Sequence, residues 1–549
     1  MRILLLILFS SFSICSFGQN SLNERIDSIL SAQVVTEFGP GLTVGVVKDG
    51  ELVYKKSNGL MNLEYNIPFN DATTFELASV TKQFTSACIA LLEKQGKLSV
   101  NDDVRKIVPE LYFSGDTIRI KHLLNHTSGI RNHNVLLDLS GFDYEHQGYT
   151  NKSIQQLMFR QKGMNNKPGD KFLYSNTNYV LLALIVERVS GMPIHQFAEK
   201  ELFEPLGMSN TFYSSDLRSI VKNRAYPYYQ VKNEFKQPKS LTLCVGAGGM
   251  SSTISDLITW SQVFLDSKHP FSYIADFVTK LEPLNNGEEM QHARGMFVTA
   301  YKGYNTFNHS GRDLGLRSQF ICIPDLNLGV VVFANSEEIN AVDVSYKILD
   351  LYIQDLPQND YNQTKYNHKK EELNQFIGHY QELNSDLRMH LFINNDTLNV
   401  QSSYGRNPVQ LNSVSGSSFA RIDNASVKYT FLSEKKSEAD LLVDFGGAVF
   451  YFEKIELASD PNPNVSEYAG SYFSKELNIG YELVVSDQEL ILNYPNNEGL
   501  VLKEGEKDVF GANRRTKYAF IRDDKNKVTS FYVASEGTVK DILFEKVNQ

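Results

Sequence analysis

The C-terminal third of this chain contains one sequence pattern twice. Residues 376–380 (FIGHY) recur as residues 468–472 (YAGSY), and residues 452–455 (FEKI) recur as residues 544–547 (FEKV). The offset is 92 residues at both ends, and strand-like segments between them match at a slightly smaller offset. Many short, evenly spaced strands in each copy are typical of a small closed or sandwiched sheet. The repeat therefore predicts two small all-β antiparallel, barrel-like domains, over 373–456 and 465–549, joined by a linker over 457–464.

The chain before this repeat has a different pattern, in which helical and strand-like segments alternate. A polar segment over residues 357–372 predicts a linker, so that residues 19–356 form a separate domain. Within that domain, Asp49-Gly50 between two apolar runs predicts a β-hairpin, and helical periodicity begins at Ser79. Two further strand-like runs flank a turn at Pro324. This mixture predicts an α/β (α+β) domain.

The first residues predict export. Residues 1–18 combine a positive start, an apolar run too short to span a membrane and small residues before a cleavage point after Gly18, as in a signal peptide. A lipoprotein signal at Cys15 is the alternative, but Ile14 stands where a small residue is expected. Because no later segment has about 18 consecutive apolar residues, we expect no transmembrane segment in the mature chain. The predicted location is periplasmic or secreted.

Composition excludes some partners. A net charge of -10 and a pI near 5.7 argue against a nucleic-acid partner, which requires a basic face. A small peptide or ester substrate is compatible with this charge, and the sequence leaves the oligomeric state open. No CxxC pair and no His/Cys spacing suits zinc, so we expect neither a metal nor another cofactor. If Cys15 is removed, an odd number of cysteines remains, which excludes a closed disulfide framework; they are Cys88, Cys244 and Cys322.

A first candidate motif is Ser79-Val80-Thr81-Lys82, at the start of an amphipathic helix. Residues three apart lie on one helical face, so the Lys82 amine can reach the Ser79 hydroxyl. The helix N-terminus also favours negative charge that develops nearby. By itself this spacing is common, and a capping serine beside a solvated lysine is the simpler interpretation.

Two further motifs follow in chain order. Tyr174-Ser175-Asn176 precedes a predicted helix. A tyrosine phenol whose pKa is lowered by a neighbouring ammonium can relay the serine proton. The asparagine amide can hold a substrate amide. His309-Ser310-Gly311 leads into a predicted strand, where a glycine admits substrate backbone and a histidine can handle protons. Each triplet alone is weak, because a core tyrosine, a helix cap or a plain strand would explain it.

Taken together, the three motifs resemble the signature of the serine β-lactamase and penicillin-binding-protein superfamily. Residues 122–129 (HLLNHTSG) and 247–253 (AGGMSST) resemble further segments of that family. Because the second motif begins with a tyrosine, the chain most resembles the branch of that family that contains class C β-lactamases, DD-peptidases and D-aminopeptidases. The resemblance covers residues 22–355. It implies an antiparallel sheet flanked by helices with a helical subdomain.

The resemblance also implies roles for individual residues. Ser79 becomes the acylated nucleophile, and Lys82 and Tyr174 share the proton relay, while His309 completes the catalytic set. The backbone N–H groups of Ser79 and Arg312 would form the oxyanion hole. The remaining substrate-binding residues are Asn176, Ser310, Gly311 and Arg312. Residues 126–129 are expected to shape the cleft wall, and His122 and His126 are therefore left out of the site.

The substrate is less determined. Class C β-lactamases typically have a lysine where this chain has His309, and in this respect the chain resembles DD-peptidases and D-aminopeptidases. A histidine is a weaker anchor than a lysine for the carboxylate of a β-lactam. Arg312 favours a carboxypeptidase if it contacts a substrate carboxylate, whereas it has no role if it faces solvent. Two C-terminal barrels resemble the architecture of D-aminopeptidases. We therefore predict a hydrolase of D-amino-acid-containing or cell-wall-type peptides, with an esterase, a weak β-lactamase and a non-catalytic penicillin-binding sensor as alternatives.

Overall fold

The computed structural model describes residues 21–33, 38–111, 115–353, 366, 368–383, 387–403, 407–422, 427–432, 439–445, 449–456, 464–512 and 515–547. The predicted signal peptide (residues 1–18) lies outside the described residues, as do most of the predicted linkers over 357–372 and 457–464. The predicted domain boundaries therefore stay predictions.

The N-terminal domain is built around an antiparallel sheet. Its strands are, in chain order, β1 (Leu42–Lys48), β2 (Glu51–Asn58), β3 (Leu60–Asn62), β4 (Ile67–Pro68), β5 (Phe75–Glu76), β6 (Phe212–Tyr213), β7 (Tyr229–Val231), β8 (Glu234–Lys236), β9 (Met250–Ser252), β10 (Phe297–Tyr301), β11 (Tyr304–Asp313), β12 (Leu316–Ile323) and β13 (Leu328–Ala334). Six of them form the main sheet in the order β10-β11-β12-β13-β1-β2, with every neighbouring pair antiparallel. The predicted hairpin is the β1–β2 pair, and Asp49 and Gly50 both have positive φ values (54° and 84°), as the tight turn requires.

Helices cover both faces of the sheet. They are α1 (residues 21–31), α2 (Thr81–Lys94), α3 (Ile120–Leu124), α4 (His133–Leu139), α5 (Asn151–Arg160), α6 (Asn176–Ser190), α7 (Ile194–Ala198), α8 (Glu204–Leu206), α9 (Ile254–Leu265), α10 (Ser272–Val278) and α11 (Ala341–Tyr352). Alternation along β13 sends Val330 and Val332 into a core with α1 and α11, while Val331 and Phe333 enter a second core with α2 and α9. The sheet is thus the middle of three layers.

A helical subdomain is centred on α6, which packs against α2, α3, α4 and α5. α6 ends at Gly191, whose φ of 75° provides a left-handed cap. Among the described residues no single helix is long and apolar enough to cross a membrane. Two helical segments joined by a bend, Asn176–Ser190 and Ile194–Leu206, are long and apolar enough only when they are taken together.

Two closed eight-stranded antiparallel barrels follow α12 (Lys370–Leu373), as the repeat predicts. The first contains β14 (Gly378–Glu382), β15 (Arg388–Asn394), β16 (Thr397–Ser402), β17 (Val409–Ser413), β18 (Ser418–Arg421), β19 (Val427–Phe431), β20 (Leu441–Phe445) and β21 (Val449–Ile455). The second contains β22 (Gly470–Ser474), β23 (Ile479–Ser486), β24 (Glu489–Tyr494), β25 (Asn497–Glu506), β26 (Val509–Ala512), β27 (Thr516–Arg522), β28 (Val528–Ser535) and β29 (Val539–Lys546).

The repeat extends to atomic contacts. Gly378 has φ of 140°, and a side chain there would meet Lys454; its counterpart Gly470 has φ of 139° and would meet Lys546. In each barrel the lysine ammonium lies within 6 Å of the ring of the tyrosine two residues after the glycine. The glycines recur in both copies because a φ near 140° is rarely adopted by a residue with a Cβ atom, and a side chain there would also displace the end of the lysine side chain.

Candidate active site

Ser79 lies in a 3-10 turn, Ala78–Val80, that leads directly into α2. The turn is fixed to the sheet region, because the backbone N–H of Leu77 donates to the Met250 carbonyl (2.9 Å) and Ser318 Oγ donates to the Leu77 carbonyl (2.7 Å). Ala78 has φ of 49°, a left-handed conformation that is costly for a residue with a Cβ atom. The surrounding contacts therefore hold Ser79 in an orientation that the local chain would not adopt alone.

Lys82 is buried one turn later, with its ammonium nitrogen among three oxygen atoms. Nζ lies 3.1 Å from Ser79 Oγ, 2.8 Å from Asn176 Oδ1 and 2.8 Å from the Ala247 carbonyl oxygen. Burial lowers the pKa of this amine from 10.5 to about 7. A neutral amine has two hydrogens, which the amide and carbonyl oxygens accept, and a lone pair, which is then left for the Ser79 hydroxyl proton.

Tyr174 lies beside the nucleophile: the Ser79 side chain acts to lower the pKa of its phenol, and Lys82 Nζ lies 5.0 Å from the centre of its ring. The expectation that a neighbouring ammonium lowers the pKa of this phenol is wrong, because burial raises it above its usual value. At the high pH where the phenol would ionise, the Lys82 amine, whose pKa is about 7, is neutral and supplies no positive charge to offset the desolvation. The phenol is consequently protonated at neutral pH and can donate a proton.

Asn176 begins α6 and is oriented from both sides. Its Oδ1 accepts from Lys82, and its Nδ2 donates to Asn134 Oδ1 (2.8 Å). Asn134, on α4, was not singled out by the sequence analysis. Because one Nδ2 hydrogen is used in this way, the second remains for a substrate carbonyl.

The third motif lies on β11, beside the turn that carries Ser79. A Cβ atom on Gly311 would lie 2.2 Å from Ser318 Oγ and 2.3 Å from the Leu77 carbonyl oxygen, so only glycine fits here. β10 pairs with β11 only as far as Asn308, which leaves residues 309–313 without a partner strand on that side among the described residues. Such an edge offers backbone groups to an extended substrate.

His309 is buried beside Tyr174, at 6.3 Å between ring centres. Burial, followed by the nearby Lys82, lowers the pKa of His309 to about 3, so the imidazole is neutral at physiological pH. Its Nδ1 lies 2.7 Å from the Ser310 carbonyl oxygen and donates to it, since an oxygen can only accept. His309 therefore provides no fixed positive charge for a substrate carboxylate.

Two more histidines surround Tyr174. The ring of His126 lies 4.2 Å from the Tyr174 ring, and the ring of His292 lies 6.1 Å from it. Both are buried, and burial holds the pKa of each well below its usual value. His126 thus forms part of the wall, as expected, whereas His292 comes from a segment in which the sequence showed no motif.

Ser310 and Arg312 are exposed and alternate along β11 with the buried His309 and Gly311. The structure thus brings Lys82 into contact with Ser79 and Asn176, with the Tyr174 ring beside the Lys82 amine, and places the third motif alongside. It leaves the side chains of Ser310 and Arg312 on the solvent side of the strand, where their predicted contact with substrate stays a prediction.

The second barrel packs against the N-terminal domain near this site, and the two share one continuous hydrophobic core. Arg131, 1% exposed, pairs with Glu476 of the second barrel (2.6 Å) and also donates to the Asp541 carbonyl (3.0 Å). The Arg131 carbonyl in turn accepts from the hydroxyl of Thr177, the neighbour of Asn176 (2.8 Å). Docking of this barrel therefore supports the segment that positions Asn176.

Comparison with known proteins agrees with this fold. Residues 26–353 match the family model "Beta-lactamase". Penicillin-binding protein 4* of Bacillus subtilis (strain 168) is 30% identical over 325 residues, covering 54% of this chain and 68% of that protein. A D-aminopeptidase of Gluconobacter oxydans (strain 621H) is 24% identical over 318 residues, covering 58% of this chain but only 59% of that protein.

Among solved structures, a penicillin-binding protein homologue from Pyrococcus abyssi superposes with a TM-score of 0.55 at 21% identity. The match covers 86% of this chain and 98% of that one, and it shows a shared fold. The fold and the relatives define the class as a serine hydrolase with a β-lactamase-like domain. The chain belongs to the beta-lactamase family.

Proposed function

We propose that this hydrolase works through an acyl-enzyme on Ser79 and acts on amide bonds of D-amino-acid-containing or cell-wall-type peptides. The observation that carries the proposal is the set of contacts of Lys82. Its two acceptor oxygens and its lowered pKa leave a lone pair for the Ser79 proton near neutral pH.

The residues then act in sequence. Lys82 accepts the proton of Ser79 as Oγ attacks the substrate carbonyl, and the backbone N–H groups of Ser79 and Arg312 stabilise the resulting oxyanion. Tyr174, protonated at neutral pH because burial raises its pKa, gives a proton to the departing amine and recovers one through Lys82. Water then attacks the acyl-enzyme by the same route in reverse.

The choice of substrate is supported by one relative and one residue. The Gluconobacter relative is a D-aminopeptidase, and two barrels follow the hydrolase domain here. A neutral His309 anchors a β-lactam carboxylate less strongly than a lysine would, which favours peptides over β-lactams. Hydrolysis of a panel of substrates distinguishes a D-aminopeptidase from a DD-carboxypeptidase.

The panel contains D-alanine p-nitroanilide, a D-Ala-D-Ala tripeptide, p-nitrophenyl acetate and nitrocefin, each with wild-type and Ser79→Ala protein. Turnover of the anilide supports an aminopeptidase, and turnover of the tripeptide supports a carboxypeptidase. Turnover of the acetate alone or of nitrocefin alone would instead assign an esterase or a β-lactamase. Stable acylation without release would assign a penicillin-binding sensor.

We also propose that the chain is exported and that residues 1–18 are removed. The positive start and apolar run support this proposal. N-terminal sequencing of the protein recovered from its native cells tests it, with Gln19 as the expected first residue. An intact N-terminus, or a lipid on Cys15, would contradict it.

A further inference from the structure

Tyr149 lies between the two segments of chain that hold the Lys82 amine. Its hydroxyl oxygen accepts a hydrogen bond from Asn134 Nδ2 (3.3 Å), and Oδ1 of the same Asn134 accepts from Asn176 (2.8 Å). Asn176 Oδ1 in turn accepts from Lys82. A continuous chain of hydrogen bonds thus connects the Tyr149 phenol to the amine beside Ser79.

The second segment supplies the Ala247 carbonyl oxygen, which also accepts from Lys82. The backbone N–H of Leu243, in the same segment, donates to the Tyr149 carbonyl oxygen (2.9 Å). Gly148 passes so close to this segment that a Cβ atom there would collide with one of its carbonyl oxygens. The backbone of Tyr149 is therefore fixed to the segment that provides the second acceptor of Lys82.

The Tyr149 ring is held by other aromatic rings and is only half-buried. Its centre lies 5.7 Å from that of the His133 ring and 5.7 Å from that of Phe142, and both contacts are edge-to-face. Tyr144 lies 6.5 Å away, and its hydroxyl donates to the backbone carbonyl of Asn134 (3.2 Å). A ring fixed in this way, with part of its surface exposed, can contact a ligand without losing conformational freedom.

The exposed part of Tyr149 borders the gap between α4 and β11. Burial raises the pKa of its phenol, and the charges of Cys244 and Asp313 raise it further, which shows that both residues lie within electrostatic range of the hydroxyl. Asp313 is the last residue of β11, whose edge over residues 309–313 has no partner strand on one side among the described residues. An extended substrate on this edge therefore passes within reach of Tyr149.

The rings around Tyr149 and those around Tyr174 form separate sets. Three histidine rings surround Tyr174, those of His126, His292 and His309. None of them neighbours the Tyr149 ring in the described part of the chain. Because Tyr174 protonates the departing amine in the proposed reaction, the leaving group lies on the side of these histidines. The acyl part of the substrate then lies on the side of Asn176, where Tyr149 stands.

We propose that Tyr149 forms a wall of the acyl subsite and makes the enzyme prefer an acyl group with an aromatic or large apolar side chain. That side chain packs on the exposed part of the ring, where an aromatic pair adds to the burial of apolar surface. The inference rests on the proposed function, because acylation of Ser79 defines which part of the substrate is the acyl part. The Tyr149 hydroxyl has a positioning role in addition, since it orients Asn134 and thereby Asn176.

The preference is measured as kcat/KM on D-phenylalanine p-nitroanilide and on D-alanine p-nitroanilide. We expect the wild type to prefer the phenylalanine substrate at least about tenfold, and Tyr149→Ala to lose this preference. Tyr149→Phe keeps the ring and removes the bond to Asn134, so it should keep the preference and lower kcat about threefold on both substrates. Tyr65→Ala is the matched control: it removes a tyrosine ring that is 79% exposed and should change neither value.

A second pair of substrates separates this inference from the proposed function. p-Nitrophenyl phenylacetate and p-nitrophenyl acetate also differ by one aromatic ring in the acyl group, and their hydrolysis requires no peptidase activity. Turnover of the anilides without a preference in the wild type, or with a preference that folded Tyr149→Ala retains, overturns the inference and leaves the proposed function standing. A preference that depends on Tyr149 in the esters, without turnover of either anilide, supports the inference and contradicts the proposed peptide substrate. Turnover of neither pair overturns both.

Discussion

The protonation state of Lys82 determines the pH dependence of the enzyme. Only the neutral amine can accept the Ser79 proton, so kcat/KM should follow the fraction of neutral Lys82. With a pKa of about 7, half of the protein is active at pH 7 and about 1% at pH 5, a fall of about tenfold for each pH unit. An unperturbed lysine would leave only about 0.03% neutral at pH 7.

The same shift has a consequence for stability. Because the folded state binds fewer protons than the unfolded state between pH 7 and 10.5, Lys82 disfavours folding most below pH 7, and this penalty disappears as the pH rises towards 10.5. A displacement from 10.5 to about 7 corresponds to about 5 kcal/mol. The difference in unfolding free energy between wild type and Lys82→Met should change in this window.

The assay is hydrolysis of p-nitrophenyl acetate from pH 5 to 8, since this substrate does not titrate. The pH–rate profile should show one ascending limb near pH 7, from Lys82. The histidines beside Tyr174 do not contribute to this limb, because their pKa values are far lower. A buried carboxyl pair remains as a competitor: burial raises the pKa values of Glu76 and Asp313 towards neutrality, and the Asp313 charge raises that of Glu76 further. Glu76→Gln removes one member of the pair and should leave the limb in place.

The temperature dependence of the pH–rate profile further distinguishes ionisation of Lys82 from ionisation of the Glu76–Asp313 pair. An ammonium has a larger enthalpy of ionisation than a carboxyl group, so the limb should move to lower pH on warming if it belongs to Lys82. A rate that is constant between pH 5 and 7 would refute the reasoning. A limb that disappears in Glu76→Gln would refute it equally.

Three substitutions test the positioning of the site. Gly311→Ala should destabilise the protein by about 1–3 kcal/mol and abolish most activity, because the added Cβ atom would lie 2.2 Å from Ser318 Oγ. Thermal unfolding and kinetics measure the two effects, and wild-type values of both would contradict the close approach. Arg131→Ala should cost about 3–5 kcal/mol by removing the buried guanidinium that bonds Glu476 and the Asp541 carbonyl at the barrel contact. An unchanged melting temperature would exclude this contact as a support. Asn134→Ala should lower kcat about tenfold with little effect on melting temperature, and an unchanged kcat would show that Asn176 is oriented without it.

Much of the fold could be predicted because its signals are local. Asp49-Gly50 defined a hairpin turn from two residues, and the 92-residue repeat predicted two barrels from matched strand patterns. The start of α2 followed from the apolar periodicity after Ser79. In each case the information lies within a few residues or within a repeat, where periodicity and turn chemistry are sufficient.

The environment of the site could not be predicted in the same way. His292 reaches Tyr174 from 118 positions further along the chain, and no spacing rule connects the two residues. The raised pKa of Tyr174 depends on burial by segments distant in sequence, so an argument from the adjacent ammonium alone gave the wrong direction. Arg131 likewise shows its role only once the second barrel is docked on it.

The central claim is that Ser79 is the nucleophile. Wild-type protein is quenched in acid during turnover of p-nitrophenyl acetate, and its peptides are analysed by mass spectrometry, with Ser79→Ala and Ser310→Ala as parallel samples. The account predicts an acetyl group on the peptide that contains Ser79, absent in Ser79→Ala and present in Ser310→Ala. An acetyl group on another residue, or full activity of Ser79→Ala, would contradict it.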